Sequence, residues 1–336
     1  MRPIFQCELF NGPCGDPGLY VDFIYDKRAL LIDLGDLSPL SGRKLLRTTH
    51  VFVTHAHMDH FIGFDHLLRV CVGRPAAMHL FGPPGFVDQV EHRIAGYTWN
   101  LVKNYATNFT ITATELALDG AMQSASFQCQ RAFAREPLAA GFALDGVLVD
   151  ETSFCVRATV LDHQIPCLAF AIEEKGHVNV WKNRLAELDL PVGPWLRELK
   201  HAVARGDADD TPFRVTWRAN GETRERAFAL GDLRRQILQI VPGQRIGYVT
   251  DVLGNAQNTA RIVALMRDAD LLYIETVFLD RDAEHAARKF HLTARQAGAI
   301  AREANVRAVM PFHISPRYAG MEASVVAEMQ AAFAES

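Results

Sequence analysis

The amino-acid sequence predicts a mixed α/β fold in which two packed β-sheets carry helices on their outer faces. Three observations lead to this prediction. Short apolar runs with β-branched and aromatic residues begin the chain, helical apolar spacing alternates with such runs after residue 60, and residues 108–172 are rich in strand patterns. Strands, then a helix and a strand, then a further run of strands is the order expected for two sheets with outer helices.

The predicted elements follow in order along the chain. Strands are predicted at 4–10, 20–25, 29–32, 51–53, 77–81, 109–118, 121–133, 141–149, 154–161, 167–172, 213–217, 225–230, 245–250, 270–274 and 308–312. Helices are predicted at 61–72, 85–97, 182–188, 194–204, 258–267, 293–304 and 319–333. Glycine and proline mark the loop at 11–18, and polar stretches flank the predicted hairpin between 206 and 244.

Length and composition describe an ordinary globular chain. Its 336 residues are 49% hydrophobic and 22% charged, with a formal net charge of -4, which argues against a globally basic nucleic-acid binder. The length fits either one large domain with an excursion or two smaller domains. Six dispersed cysteines without a C-x-x-C pair indicate reduced thiols. Because no signal peptide and no apolar run near 20 residues are visible, we expect a cytoplasmic enzyme without a membrane partner.

A dense group of potential metal ligands follows the apolar strand at 51–53. His55, His57, Asp59 and His60 stand in H-x-H-x-D-H order. Imidazole and carboxylate groups suit zinc and related first-row ions. Histidines that merely decorate a loop are the alternative, and four donors directly after an apolar strand argue against it.

Three later predicted strands also end in a potential ligand, namely His163, Asp251 and His313. Taken alone, a histidine in the place of His163 is more often a capped or solvated turn residue than a ligand. Asp33, at the end of the strand 29–32, either orients a metal-bound histidine or caps the next helix, and the sequence leaves both readings open.

These motifs resemble a known family. Thr54-His55-Ala56-His57-Met58-Asp59-His60 resembles the metal motif of the metallo-β-lactamase fold. Two later features resemble ribonuclease Z more narrowly: the run 273–277 followed by 291–293, and the ending Pro311-Phe312-His313-Ile314-Ser315-Pro316-Arg317-Tyr318. The resemblance covers most of the chain. It implies an αββα sandwich formed by one domain, 1–336, with a protruding helical arm inserted at about 173–206.

The resemblance also implies two zinc ions per chain. One ion is expected at His55, His57 and His163, the other at Asp59, His60 and His313, with Asp251 bridging both. Metal pairs about 3.5–4 Å apart recur in enzymes that displace groups at phosphorus. The same donors would also accept manganese or iron.

The resemblance assigns the acid–base roles as well. His291 is expected to donate a proton to the leaving 3′ oxygen, with Glu275 holding its tautomer and Asp59 acting as base on the water. Alternatively, His291 is only a residue beside Thr293, a helix cap. Arg317 is expected to clamp a phosphate, and a structural ion pair is the alternative.

The run 190–200 resembles the Gly-Pro arm with which ribonuclease Z holds the tRNA elbow. Gly193, Pro194 and Lys200 are the substrate-binding residues that this resemblance implies. A plain helical hairpin with a solvated charged face is the alternative. The family further implies a homodimer, in which one subunit's arm holds the tRNA that the other subunit cuts.

The predicted function is endonucleolytic cleavage on the 3′ side of a tRNA precursor. The chain departs from the family pattern in its proline-rich loop at 11–18, in Val252-Leu253 where Thr-Arg is usual, and in a probable insertion at 119–150. These departures motivate an alternative, a hydrolase of a small phosphodiester or another ester. A non-enzymatic homologue that binds RNA or a partner is a third reading, against which the full ligand set argues.

Overall fold

The computed structural model of the protein describes residues 4–24, 26–219, 221–241 and 243–335. The chain divides into two compact units: the first comprises Met1–Val149, Val156–Ile172 and Arg245–Ser336, and the second comprises Asp150–Cys155 and Glu173–Gln244. The segment 173–206 predicted as an arm lies within the second unit, which continues to Gln244. A single domain over 1–336 and an insertion at 119–150 stay predictions.

The first sheet is built from the N-terminal part of the chain. Its strands are β1 (Phe5–Leu9), β2 (Leu19–Phe23), β3 (Ala29–Ile32), β4 (Thr48–Phe52), β5 (Ala77–Gly82), β6 (Thr110–Leu116), β7 (Ala121–Gln128), β8 (Arg135–Pro137) and β9 (Gly141–Phe142). They neighbour one another in order from β1 to β8, and β9 pairs with β7. β3 to β6 run parallel, so the carboxyl ends of β3 and β4 meet at one edge of the sheet.

Helices cover the outer face of this sheet. They are α1 (Gly42–Leu45), α2 (Met58–Phe61), α3 (Phe64–Cys71) and α4 (Phe86–Ala95). In α3 the buried residues Phe64, Leu67, Leu68 and Cys71 follow the spacing i, i+3, i+4, i+7, which gives the helix one apolar face. This face belongs to the same buried cluster as Val51 of β4.

The strands β10 (Val147–Asp150), β11 (Phe154–Asp162) and β12 (Pro166–Glu174) come next. The second unit then contains β13 (His177–Val180), α5 (Lys182–Glu187), α6 (Trp195–Arg205), β14 (Pro212–Ala219), β15 (Glu222–Ala229), α7 (Leu230–Ile237) and β16 (Leu238–Val241). β13 pairs with β16, and β14 pairs with β15 as a hairpin. A separate buried cluster that includes Trp195, Leu199, Val215 and Leu233 stabilises this unit.

The C-terminal part completes the second sheet. It contains β17 (Arg245–Val249), α8 (Ala256–Met266), β18 (Leu271–Glu275), α9 (Ala283–Lys289), α10 (Ala294–Glu303), β19 (Val309–Phe312) and α11 (Glu322–Ala334). The strand order is β10-β11-β12-β17-β18-β19. β17, β18 and β19 run parallel, so Asp251, Glu275 and His313 lie at or just beyond carboxyl ends on one edge.

The two sheets pack face to face inside the first unit. Phe52 of β4 contacts Phe81 of β5, with ring centroids 5.2 Å apart, and Phe170 of β12, with centroids 5.5 Å apart. Helices α8, α10 and α11 share a buried cluster with residues of β12, β17 and β18 on the outer face of the second sheet. The predicted αββα sandwich is therefore confirmed.

Several predicted boundaries were wrong. The predicted strand 141–149 is interrupted at 144–146, where Asp145 has a φ of 51° and ends the extended conformation. The polar stretch predicted after residue 230 contains α7 and β16 instead. Tyr25, at the end of the predicted strand 20–25, lies outside the described residues. Among the described residues, no helix is long and apolar enough to cross a membrane.

Candidate metal centre

The structure gathers the seven predicted ligands at one edge of the sandwich. One group consists of His55, His57, His163 and Asp251, whose ligand atoms lie within 4.8 Å of one another. Within the same limit, a second group unites Asp59, His60 and His313, and a third unites Asp251 with Glu275, His291 and His313. Donors separated by about 260 positions of sequence thus form one continuous cluster.

Asp251 lies at the centre of this cluster. Its Oδ2 atom is 3.6 Å from Nε2 of His55 and 3.4 Å from Nε2 of His163. The same oxygen is 3.5 Å from Nε2 of His60, and Oδ1 is 2.9 Å from Nδ1 of His313. Asp251 therefore contacts histidines of both predicted ion sites, as a bridging carboxylate must.

Hydrogen bonds donated by Nδ1 orient three of the histidines. His60 Nδ1 lies 2.9 Å from Asp33 Oδ2, and His163 Nδ1 donates to the Phe290 carbonyl at 2.8 Å. His55 Nδ1 lies 3.1 Å from Thr54 Oγ1. Because each Nδ1 has a protein acceptor, each Nε2 is left with a lone pair for a metal ion.

The buried Nε2 atoms fit a divalent cation. Those of His55 and His60 are buried without a hydrogen-bond partner among the described residues. Burying such an acceptor unpaired is unfavourable, and a bound metal ion removes that penalty. Burial and the neighbouring His60 lower the pKa of His55 to about 2, so this imidazole is neutral and able to bind.

Three residues of the cluster adopt left-handed backbone conformations where strands end. The φ angles are 57° at Asp33, 48° at Asp251 and 57° at His313. Non-glycine residues seldom adopt such angles, and a set of them often marks a functional site. Each turn redirects its side chain immediately after a strand, toward the shared edge.

Asp33 is hydrogen-bonded to residues from both sheets. Its carboxylate is buried and accepts hydrogen bonds from the Thr54 backbone at 2.8 Å and the Thr54 hydroxyl at 2.9 Å. The Tyr248 hydroxyl donates to the same carboxylate at 3.2 Å. Ser41, rather than Asp33, caps α1. Of the two readings that the sequence left open, the structure supports the one in which Asp33 orients a histidine, namely His60.

Replacing Asp33 with asparagine is therefore expected to weaken divalent-metal binding about 10- to 100-fold. Asparagine tolerates the left-handed backbone but cannot accept both the Tyr248 hydroxyl and the His60 Nδ1 proton as the carboxylate does. Competition with a chromophoric chelator measures the affinity. Asp36→Asn is the matched control, since Asp36 is exposed and its carboxylate accepts hydrogen bonds from Ser38 rather than from a predicted ligand. Equal metal affinities of the Asp33→Asn and Asp36→Asn variants would contradict the role of Asp33.

Glu275 is a fully buried carboxylate that fixes its surroundings. It accepts hydrogen bonds from the backbone amides of Asp251 at 2.9 Å and Leu292 at 2.9 Å. Its Oε2 atom lies 3.0 Å from His291 Nδ1. Burial raises the pKa of Glu275, but the charge and hydrogen bond of His291 and the hydrogen bond of His313 together lower it to about 2. The ionised carboxylate therefore links the backbone beside the central aspartate to the His291 ring.

His291 is held with its Nε2 side toward a cavity. Burial lowers its pKa, but the charge and hydrogen bond of Glu275, together with the charge of Asp251, raise it above the ordinary value. Its side chain keeps 16% exposure, which leaves it accessible. Thr293 does cap α10, in a capping box with Gln296. The capping role predicted as the alternative thus belongs to Thr293 and coexists with the His291–Glu275 pair.

The cavity beside His291 has a volume of about 410 Å³ and is also lined by Asp59, Phe278 and Arg317. Arg317 is 46% exposed, and its Nη1 lies 3.5 Å from Asp282 Oδ1. The predicted ion pair is therefore present, in a loose geometry, and the guanidinium remains at the cavity wall.

Gly193, Pro194 and Lys200 belong to the second unit. Pro194 immediately precedes α6, and the Gly193 carbonyl accepts a hydrogen bond from the Leu196 amide at 3.1 Å. These contacts start the helix, and the substrate-binding role of the three residues stays a prediction.

Sequence reasoning missed two of the groups that lie behind the ligands. Phe290, with a φ of 60°, presents its carbonyl to His163, and Tyr248 donates to Asp33 from the second sheet. The backbone angle of Phe290 has no signal in the sequence. Tyr248 stands three residues before Asp251, on the strand that leads to it, so its place near the centre was accessible to sequence reasoning.

Similar proteins match the chain over most of its length. It is 32% identical to ribonuclease Z of Deinococcus radiodurans over 320 residues, which cover 94% of this chain and 91% of that protein. It is 27% identical to ribonuclease Z of Lactobacillus helveticus over 283 residues, which cover 83% of this chain and 73% of that protein. No protein-family model matches the chain.

Solved structures resemble its fold. The short form of human tRNase Z superposes with a TM-score of 0.51 at 17% identity, covering 94% of this chain and 92% of that chain. The metallo-β-lactamase fold protein YhfI from Bacillus subtilis gives a TM-score of 0.52 at 14% identity, covering 95% and 86%. The αββα sandwich is therefore a metallo-β-lactamase fold.

Proposed function

Since the chain belongs to the ribonuclease Z family, we propose that it is a zinc-dependent endoribonuclease that removes the 3′ trailer from tRNA precursors. It is a metal-dependent hydrolase of the metallo-β-lactamase fold. One observation carries the proposal: seven histidine and aspartate donors converge around Asp251, directly beside a histidine whose proton is controlled by a buried glutamate.

Two zinc ions account for the donor set. His55, His57 and His163 would hold one ion, and Asp59, His60 and His313 the other, with Asp251 between them. When bound, paired zinc ions supply Lewis acidity that activates water and stabilises charge on the phosphate oxygens. The hydrogen bonds that the imidazoles donate through Nδ1 to Asp33, Thr54 and Phe290 would keep their Nε2 atoms aimed at the ions.

The chain's own residues move the protons. Burial raises the pKa of Asp59, but its hydrogen bond with His313 is among the contacts that lower it to about 2, so its carboxylate is ionised and able to accept a proton from the attacking water. His291 donates its Nε2 proton to the leaving 3′ oxygen while Glu275 holds Nδ1. Cleavage therefore leaves a 3′ hydroxyl on the tRNA and a phosphate on the trailer.

The remaining parts of the proposal follow from the family. The second unit holds the tRNA through Gly193, Pro194 and Lys200, and two chains form a homodimer. Its place is the cytoplasm, which is consistent with six free cysteines. A hydrolase of small phosphodiesters is the competing function, because the cavity of about 410 Å³ beside His291 is also large enough for a small ligand.

Incubation with a 3′-extended pre-tRNA and zinc is expected to release the trailer in one endonucleolytic cut. Chelation should abolish this cleavage, and added zinc should restore it, because the bound ions would supply the activation of water. Gel analysis of end-labelled RNA measures both. Bis(p-nitrophenyl) phosphate serves as the small-substrate control. Its hydrolysis without any cleavage of pre-tRNA would contradict the proposed function and support a hydrolase of small phosphodiesters.

A further inference from the structure

The cavity beside His291 has a cationic side that the ion sites do not use. Three residues form it: His285 and Lys289, four positions apart on α9, and Arg317, just beyond β19. We call these residues the α9 wall. Residues four apart lie on the same face of a helix, so His285 and Lys289 face the cavity together.

The α9 wall is organised around an aromatic ring. The Arg317 guanidinium lies 5.8 Å from the centre of the Phe278 ring, and the His285 ring meets the same Phe278 edge-on at 5.1 Å. Arg317 Nη2 lies 3.3 Å from His285 Nε2. Since a guanidinium can only donate, His285 accepts this hydrogen bond and is neutral, which leaves its Nδ1–H as a donor.

Lys289 is the residue of the α9 wall whose positive charge has no acidic partner among the described residues. No acidic side chain lies within 4 Å of its ammonium among the described residues, whereas its neighbour Arg288 pairs with Glu284 at 4.0 Å. Arg317 is held only loosely by Asp282, at 3.5 Å. The cavity also contains the carboxylates of Asp16 and Asp59, so an anion is expected at the α9 wall rather than throughout the cavity.

A second cavity, which His57 lines, has a more apolar character. Met58, Phe61 and Ile62 line it together with the polar Gln89 and His92, and its Arg93 is already paired with Asp65 at 2.9 Å. Met58 is 76% exposed there. This contrast assigns phosphate groups to the α9 side, where a cation is available.

We propose that the α9 wall, through Lys289, binds the phosphate on the 5′ side of the nucleotide whose 3′ oxygen leaves. This inference rests on the proposed function. His291 delivers its proton to that oxygen, so the leaving nucleotide enters the cavity that His291 lines, where Lys289 is the lysine available to its 5′ phosphate. Lys289 is accordingly a substrate-binding residue that favours a polynucleotide over a diester with a single phosphate.

The test compares Lys289→Gln with wild type on a 3′-extended pre-tRNA and on bis(p-nitrophenyl) phosphate. On the RNA, KM should rise about tenfold, and the slope of log(1/KM) against log salt should become about one unit less steep, as expected for one lost phosphate contact. On the small diester, kcat/KM should stay within about twofold of wild type, since that substrate lacks a second phosphate. The Lys289→Arg variant, which keeps the positive charge, should have a KM on the RNA and a salt slope close to those of the wild type.

Arg288→Gln is the matched control, because Arg288 is also an exposed cation of α9 but does not line the cavity. A pre-tRNA with an uncharged methylphosphonate at the proposed linkage identifies the phosphate. This change should raise the KM of the wild type about tenfold and leave the KM of Lys289→Gln unchanged. If Lys289→Gln matches Arg288→Gln in KM and salt slope, the inference is overturned while the proposed function stands. Failure of wild type to cut any pre-tRNA would overturn both.

Discussion

Replacing His291 with alanine is expected to lower kcat on 3′-extended pre-tRNA by about 10²- to 10⁴-fold, the usual contribution of a general acid. The reason is that the leaving 3′ oxygen of ribose is strongly basic and departs only with a proton. The Glu275 carboxylate raises the pKa of His291 above its ordinary value, which keeps that proton available near neutral pH. Single-turnover cleavage at saturating enzyme measures the effect on chemistry directly.

The same variant should hydrolyse bis(p-nitrophenyl) phosphate at close to the wild-type rate, because p-nitrophenolate leaves without a proton. Zinc content should be unchanged, since His291 is not among the seven proposed ligands. An equal loss on both substrates, or a loss of zinc, would show that His291 supports the ion sites rather than the leaving group.

Replacing Asp251 with asparagine is expected to reduce bound zinc from about two ions per chain to fewer than one. Asp251 contacts histidines of both ion sites, and its charge offsets the repulsion between two close cations. Activity on pre-tRNA should fall more than about 100-fold, beyond the usual effect of losing a residue that only orients a ligand. Elemental analysis of the gel-filtered protein measures the zinc content.

Asp268→Asn provides the matched control for this change. Asp268 is also an aspartate with a left-handed φ, 58°, but it is exposed and bonded to Asn305 away from the ion sites. The control should keep both ions and full activity. Retention of two ions by Asp251→Asn would contradict the bridging role.

The sequence predicted the ligands better than the groups that orient them. His55, His57, Asp59 and His60 are recognisable because they follow an apolar strand at short spacing, and His163, Asp251 and His313 each end a strand. Parallel strands then bring such ends to one edge, so the gathering follows from topology. The resemblance to a known family supplied the grouping of these residues into two ion sites.

The acceptors were harder to predict because they depend on tertiary packing. The Phe290 carbonyl faces His163 across 127 positions of sequence, through a backbone angle that propensity does not favour. Gly63 illustrates the same dependence: a Cβ there would lie 2.3 Å from the Gly35 carbonyl oxygen, so the loop after β3 packs directly on the segment after His60. Such contacts become visible only when the sheets are assembled.

The second unit shows a different limitation. Helix α7 has buried Leu230, Leu233 and Ile237 at helical spacing, a pattern that was available but was masked by the charged residues between them. The pairing of β13 with β16 joins segments about 60 residues apart, and no local signal specifies such a partner. The arm predicted at 173–206 therefore did not include the later part of the second unit, which continues to Gln244.

Anomalous diffraction at the zinc absorption edge, from crystals of the zinc-loaded protein, tests the central claim most directly. Two peaks are expected about 3.5–4 Å apart, one among His55, His57 and His163 and the other among Asp59, His60 and His313, with Asp251 contacting both. A single peak, or peaks away from Asp251, would contradict the two-ion centre on which the proposed cleavage chemistry depends.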